Sequence, residues 1–221
     1  MVREKQINAT LHYVYDPLCG WCYGAEPLVN AATSVPGLSL KLHGGGLWPE
    51  PTQLPDDTRR YILEADARVA EISGQPYGEP YRSGLLLDPT MTLESRPTTA
   101  AVLAAEQIDE PKGLAMLKGI QHAHYERGLR VVEPDVLRQV ADEIGLNRDA
   151  FEVALEEVDA DQHITNSRRF MQQIGASGFP AFVLQIGEQW FTVPNQQFAS
   201  DANGFADWLS QMLSQHAAAE G

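Results

Sequence analysis

The sequence predicts an α/β fold in which a long helical block separates a strand–helix–strand unit from a terminal strand–strand–helix unit. Three observations support this prediction. Residues 8–43 contain two alternating apolar segments on either side of a helical pattern. Residues 55–173 carry helical periodicity with almost no strand pattern. From residue 181 onward, a hairpin pattern and an amphipathic helix complete the chain.

Composition limits the classes of partner that this chain is expected to bind. Its 221 residues are enough for one well-cored domain, or for one domain that carries a sizeable insertion. A formal net charge of −14 argues against nucleic acid and against an anionic membrane surface as partners. No run approaches about 18 consecutive apolar residues, so no membrane span is predicted. Residues 1–10 lack the apolar core of a secretory signal peptide, so a cytoplasmic location is expected.

The first unit is predicted from alternation and punctuation. Residues 8–15 alternate as a strand, which Asp16-Pro17 ends, and residues 25–32 then have a helical pattern. Pro27 lies inside that pattern and is expected to kink the helix, because proline lacks a backbone donor. A second alternating strand occupies residues 38–43. The order strand–helix–strand predicts a parallel pair joined by a right-handed crossover.

The middle block is predicted to consist of helices. The Gly- and Pro-rich stretch from Gly74 to Pro89 is interpreted as a surface loop between two of them. The predicted helices are Asp56–Ile72, Arg96–Gln107, Pro111–Glu126, Pro134–Ile144, Arg148–Glu157 and Ala160–Ile174.

The last unit is predicted as a hairpin followed by a helix. Two strands, 181–186 and 189–193, flank the two-residue turn Gly187-Glu188, which has glycine first. The final helix is predicted over 203–215, and the tail beyond it is expected to fray.

The chain contains only two cysteines, and they lie three residues apart in Cys19-Gly20-Trp21-Cys22, between the first strand and the following helix. Residues at this spacing on a first helical turn are neighbours, so one sulfur can reach the other. The free N–H groups and the dipole at a helix start stabilise an anion. The motif therefore predicts thiol–disulfide chemistry, with Cys19 as the attacking nucleophile and Cys22 as the resolving thiol.

Three other interpretations of the cysteine pair are less favoured. A structural zinc site needs about four ligands, and the six histidines show no matching spacing, so no metal site is predicted. A structural disulfide would close a very small loop and stabilise little. An accidental pair of buried cysteines is the remaining alternative. Asp16, three residues before Cys19, could accept a proton during exchange or could simply cap the turn with Pro17.

The order of elements resembles the thioredoxin fold interrupted by a helical insertion, as in the DsbA superfamily. Two motifs carry the resemblance: Cys19-Gly20-Trp21-Cys22-Tyr23 and Gly178-Phe179-Pro180-Ala181-Phe182. Within the superfamily, the chain resembles the cytoplasmic FrnE-like branch, which is related to 2-hydroxychromene-2-carboxylate isomerases and kappa-class glutathione transferases. The resemblance implies a thioredoxin-like domain formed by residues 1–48 and 174–221, and a helical insertion domain over 49–173.

The resemblance also implies roles for single residues. Pro180 is expected to be a cis-proline that faces the cysteines and forms the catalytic group with them. The backbone of Phe179 is expected to pair with an extended substrate, as an added strand would. Gly20, Trp21 and Tyr23 complete the predicted substrate-binding group. For Trp21 and Tyr23, an apolar lip around the site and simple packing within the fold are equally favoured.

The resulting functional hypothesis is a thiol–disulfide oxidoreductase or protein disulfide isomerase that acts on protein or small thiol and disulfide substrates. No bound cofactor is expected, although glutathione is a candidate redox partner. The alternative is a glutathione-dependent isomerase or transferase acting on a small molecule. Enzymes of that type typically carry serine at the position of Cys19, so the presence of both cysteines favours exchange. Gly20-Trp21 replaces the Pro-His dipeptide of DsbA, so a less extreme oxidant is expected.

Overall fold

The structure is a computed structural model, and it describes residues 9–219, with side chains described through residue 216. The described strands are β1 (Ala9–Tyr15), β2 (Leu38–Gly44), β3 (Thr52–Gln53), β4 (Thr92–Leu93), β5 (Ala181–Ile186) and β6 (Gln189–Thr192). Four of them form a mixed sheet in the order β2-β1-β5-β6, and β3 pairs with β4 in a small second sheet. Residue 8, which was predicted to begin the first strand, lies outside the described residues.

Most of the described α-helices lie in the middle of the chain, between β2 and β5. None of them is long and apolar enough to span a bilayer within residues 9–219. They are α1 (Gly20–Gly24), α2 (Glu26–Thr33), α3 (Asp56–Ser73), α4 (Ser95–Ile108), α5 (Glu110–Tyr125), α6 (Pro134–Glu143), α7 (Arg148–Glu157), α8 (Ala160–Gln173) and α9 (Ala202–Ala219).

Strand β1 is a central strand of the main sheet and leads directly to the cysteines. It pairs in parallel with β2 and antiparallel with β5, and all but one of its residues are buried. A strand that is buried on both faces is expected to be apolar, as the sequence of β1 largely is. Together with the β5–β6 hairpin and α9, this arrangement confirms the predicted thioredoxin-like α/β fold with a helical insertion.

The helix after the cysteines differs from its prediction. Instead of one helix with a kink at Pro27, the chain forms a short α1, breaks at Ala25 and starts again as α2. Pro27 lies in the first turn of α2, where a backbone N–H would have no helical partner. The proline therefore opens a second helix, and the interruption predicted one turn past the cysteines is a break between two helices and not a kink within one.

The six predicted middle helices are all present as α3–α8, each within two residues of its predicted ends. The segment from Gly74 to Pro89 is different, because it is not a surface loop throughout. It contains a π-helical turn at Pro80–Gly84, and its side chains Tyr77, Tyr81 and Leu86 are buried. The final helix α9 also continues to Ala219, four residues beyond its predicted end.

Candidate active site

Cys19 occupies the N-cap position of α1. Its backbone is extended, with φ −106° and ψ 114°, and its carbonyl accepts hydrogen bonds from the N–H groups of Cys22 and Tyr23. The side chain is 8% exposed, and its thiol points to the carbonyl oxygen of Phe179, with the sulfur 3.9 Å away. The nucleophile predicted from the sequence is thus a thiol at a helix start, beside the backbone of residues 178–182, which we call the proline loop.

Cys22 lies one turn into α1 and is completely buried, with 0% exposure. Its sulfur accepts a hydrogen bond from the backbone N–H of Asp16 at 3.5 Å. Burial raises the pKa of the Cys22 thiol well above its ordinary value, and the neighbouring Cys19 adds to the effect. Both cysteines are free thiols in this structure. The inner sulfur is therefore held as a protonated group that substrate cannot reach directly.

Asp16 connects the end of β1 to the redox loop, which we define as residues 16–22. Its Oδ1 accepts the N–H of Leu18 at 2.9 Å, and its Oδ2 accepts the N–H of Leu47 at 2.7 Å. The first bond is the turn-capping role that was one of its two predicted alternatives. Burial nevertheless raises the pKa of this carboxyl, even with the hydroxyl of Ser95 beside it. Asp16 is thus a fully buried acid on the Cys22 side of the loop.

The proline loop lies opposite the cysteines. The peptide bond between Phe179 and Pro180 is cis, as the resemblance implied. The ring of Phe179 packs against Gly45, where a Cβ atom would come within 2.2 Å of it, and the guanidinium of Arg168 lies 5.1 Å from the ring centroid. Arg168 also donates to the carbonyl of Gly46 at 2.6 Å. These contacts hold the Phe179 carbonyl next to Cys19.

The segment after α3 covers the redox loop from the helical block. The hydroxyl of Tyr77 donates to the carbonyl of Gly20 at 2.8 Å. Asp66, on α3, is 4% exposed, and its Oδ2 accepts the hydroxyl of Tyr81 at 2.7 Å. Its Oδ1 lies 2.1 Å from the position that a Cβ atom would take on Gly20. A side chain at position 20 would therefore have to displace the carboxylate of Asp66.

Two clefts meet at the redox loop, and the indole of Trp21, which is 47% exposed, borders both. The larger, of about 530 Å³, runs along Leu28, Ile72 and Pro180. The smaller, of about 300 Å³, contains Cys19 and lies under α3. Trp21 thus has the position expected of an apolar lip.

Of the other three predicted substrate-binding residues, two line the clefts and one is buried. Gly20 lines the smaller cleft and Phe179 lines the larger one. Tyr23, in contrast, is fully buried and stacks on Tyr125 at a centroid distance of 5.0 Å. Its hydroxyl donates to Glu126 at 2.9 Å. Of its two predicted alternatives, packing within the fold describes Tyr23, and it does not form part of the lip.

Sequence reasoning missed Asp66, Tyr77 and Tyr81, which the structure brings to the redox loop. For Asp66 a signal was present, because it falls at the helical spacing of Ile62 and Val69 on the inward face of α3. A lone carboxylate on such a face is uncommon unless it is paired or functional. The two tyrosines lie in the segment interpreted as a surface loop, where the pattern predicted no contact with the cysteines.

Comparisons with known proteins agree with this architecture. Residues 10–202 match the family model described as a DSBA-like thioredoxin domain. Among solved structures, the chain is similar to the cytosolic disulfide reductase DsbM from Pseudomonas aeruginosa, at 42% identity and a TM-score of 0.85, over 93% of this chain and 99% of that chain. The structure of DsbM with GSH matches over the same shares at 41% identity and a TM-score of 0.84.

More distant structures share the fold. A protein from Nitrosomonas europaea, proposed to be a protein disulfide isomerase, is 24% identical with a TM-score of 0.80, over 95% of this chain and 99% of that chain. A 2-hydroxychromene-2-carboxylate isomerase is 14% identical with a TM-score of 0.60, over 94% of this chain and 98% of that chain. No curated protein matches the chain.

Proposed function

The chain belongs to the DSBA-like thioredoxin domain family, and we propose that it is a thiol–disulfide oxidoreductase acting through Cys19 and Cys22. The observation that carries this proposal is the asymmetry of the pair. Cys19 lies at a helix start and opens into a cleft, whereas Cys22 is sealed beneath it. The sulfur of Cys19 can thus react with a substrate, whereas the sulfur of Cys22 can react only with Cys19.

The reaction follows from this asymmetry. The Cys19 thiolate attacks a substrate disulfide, forms a mixed disulfide and releases the first substrate thiolate, which takes a proton from solvent. Cys22 loses its proton and attacks the sulfur of Cys19. This step forms the Cys19–Cys22 disulfide and releases the second substrate thiolate. The substrate gains two electrons that the cysteine pair loses, and a dithiol or glutathione must return them before the next cycle.

Asp16 is the proposed acceptor for the proton of Cys22. Its carboxyl is fully buried in the redox loop, its backbone N–H contacts the sulfur of the inner cysteine, and burial raises the pKa of the acid, which makes it a stronger base. The N–H of the same residue donates to the Cys22 sulfur and stabilises the thiolate that forms. Asp16 would thus cap the turn and assist the resolving step.

We propose the reductive direction and a cytosolic location, on the basis of 42% identity to a cytosolic disulfide reductase. Glutathione is the proposed small-thiol partner, because that relative was solved with it. In this chain, the carbonyl of Phe179 next to Cys19 would accept a backbone N–H from glutathione or from an extended peptide. Protein disulfide isomerisation is the same exchange applied to a substrate with several disulfides.

Trapping of the mixed disulfide tests this proposal. The Cys22→Ser variant should accumulate one glutathione per chain on Cys19 after incubation with oxidised glutathione, as measured by intact mass. The Cys19→Ser variant is the matched control and should accumulate none on the sealed Cys22. Equal labelling of both variants, or of neither, would contradict the assigned roles.

A further inference from the structure

The smaller cleft has a composition that disulfide exchange alone does not explain. It is bounded on one side by Cys19 and the redox loop and on the other by α3, with a volume of about 300 Å³. Most of its lining is apolar or aromatic. Besides the nucleophile and the tyrosines, the polar side chains in its lining are Thr58, His124 and Asp66, and Asp66 is the only carboxylate among them. The carboxylate of Asp66 lies against Gly20, next to the nucleophile.

Asp66 is a buried acid without a cationic partner. Its Oδ2 is satisfied by Tyr81, whereas its Oδ1 accepts no hydrogen bond from the part of the chain that the structure describes. No salt bridge to Asp66 is present among the same residues. The nearest arginine on the same face of α3, Arg59, pairs instead with Asp56. Burial raises the pKa of Asp66 to about 7, which is the expected response of a desolvated carboxylate that no cation neutralises.

Aromatic side chains line the same cleft. Trp48, Tyr61 and Tyr125 line it together with Trp21. The face of an aromatic ring attracts a cation, and a buried carboxylate attracts one more strongly. A protonated amine can form an ion pair with the carboxylate and a cation–π contact with the aromatic rings. A carboxylate or a plain alkyl group cannot form both of these interactions.

We propose that the smaller cleft binds a protonated amine carried by the disulfide substrate, and that Asp66 is the residue that selects for it. The preferred substrates are then small disulfides with an ammonium group a few bonds from sulfur. This inference rests on the proposed function, because it concerns the substrate of the same nucleophile. The reaction is unchanged: the disulfide bond of the substrate is reduced to two thiols as the Cys19–Cys22 disulfide forms.

Three small disulfides that differ only in their end group test the selectivity. Cystamine carries ammonium, bis(2-hydroxyethyl) disulfide carries a neutral hydroxyl, and 3,3′-dithiodipropionate carries a carboxylate. Each is mixed with fully reduced protein, and the second-order rate of single-turnover oxidation is followed by tryptophan fluorescence or by quenching and mass. Because the three disulfides differ in intrinsic reactivity, the informative quantity is the ratio of their rates, compared between variants.

The expected result is a cystamine-to-hydroxyethyl rate ratio about tenfold higher in the wild-type protein than in Asp66→Asn, the range reported for loss of a charged hydrogen-bonding partner. The dithiodipropionate-to-hydroxyethyl rate ratio should instead be lower in the wild-type protein than in Asp66→Asn. Glu64→Gln is the matched control, because it removes the same charge from an exposed position on α3, two residues away. That variant should keep the wild-type ratio.

A second measurement needs no variant. Propylammonium chloride should slow the alkylation of Cys19 by iodoacetamide in the wild-type protein, whereas 1-propanol and sodium chloride at the same concentration should not. Three results would each overturn the inference while leaving the proposed function intact. The first is an equal rate ratio in wild type and Asp66→Asn, and the second is an equal change of that ratio in Glu64→Gln. The third is equal protection of Cys19 by the amine and the alcohol. If no disulfide oxidises the wild-type protein, the proposed function itself fails.

Discussion

Asp66 on α3 approaches Gly20 so closely that its Oδ1 lies 2.1 Å from the position a Cβ atom would take there. Real Cβ contacts of this length do not occur, so any side chain at position 20 would force the helix or the acid to move. The helical block thus shapes the loop between the two cysteines directly. Position 20, within the Cys-x-x-Cys motif, is thus crowded by a residue 46 positions away in the sequence.

This contact predicts the effect of Gly20→Ala. The extra methyl group should destabilise the protein by about 1–3 kcal/mol, the usual cost of overpacking, and should slow exchange by displacing the loop. Urea unfolding and the oxidation rate measure the two effects. In the double variant with Asp66→Ala, the cost should be smaller than the sum of the single costs, and simple additivity would contradict the contact.

The position of Asp16 predicts a defect in the resolving step. In Asp16→Asn, a mixed disulfide between Cys19 and glutathione should form normally but decay more slowly, by at least about tenfold, since a general base typically contributes 100-fold or more. Mass measurements at intervals after mixing report both steps separately. An unchanged decay rate would assign Asp16 to turn capping alone. A slower formation step would instead indicate a distorted loop.

A histidine pair on the main sheet predicts acid sensitivity of the fold. Nδ1 of His12 and Nε2 of His43 lie 3.0 Å apart, so the pair shares one proton, and His43 stacks on Phe170 of α8. Burial lowers the pKa of His43 from 6.5 to about 3, with His12 contributing. The unfolded chain therefore binds a proton that the folded chain does not, and the contribution of His43 to stability should fall as the pH drops from 6.5 toward 3.

The size of this loss is the difference in pH dependence between the wild-type protein and His43→Gln, measured by urea unfolding at pH 7.5 and pH 5, because the raised pKa of Asp66 changes stability in the opposite direction over the same range. A single histidine with this shift should cost about 1–2 kcal/mol at the lower pH. Buried His124, whose pKa burial lowers to about 4, adds a loss of the same sign in the same range. The variant His43→Gln, which keeps a polar partner for His12, should show a shallower dependence. An identical slope in that variant would contradict the assignment to His43.

Much of the fold could be predicted because its signals are local. The helices α3–α8 have amphipathic periods and clear ends, and the hairpin is marked by a glycine that adopts φ +57° at Gly187. Proline was harder to interpret, since the same Pro27 could kink one helix or open another. The helix breaks at Ala25, just before Pro27, so the proline opens a new helix. The apolar periodicity of the sequence does not reveal that break.

The candidate site could be predicted only in part. The cysteine spacing indicated the chemistry, but the alternation of Trp21 and Tyr23 could not indicate which ring faces solvent, because that depends on Tyr125 from α5. In the same way, the covering contacts of Tyr77 come from a Gly- and Pro-rich segment whose composition is typical of loops. Contacts of this kind depend on which distant surface each element meets.

The most direct test of the account is the redox equilibrium of the wild-type protein in glutathione buffers, followed by alkylation and mass. Cys19 and Cys22 should become protected together, with the loss of two hydrogen atoms and no added glutathione at equilibrium. The midpoint should lie in the reducing range, near the value of about −270 mV that is typical of thioredoxin. A protein that carries only mixed disulfides with glutathione at every ratio, and never the Cys19–Cys22 disulfide, would contradict it.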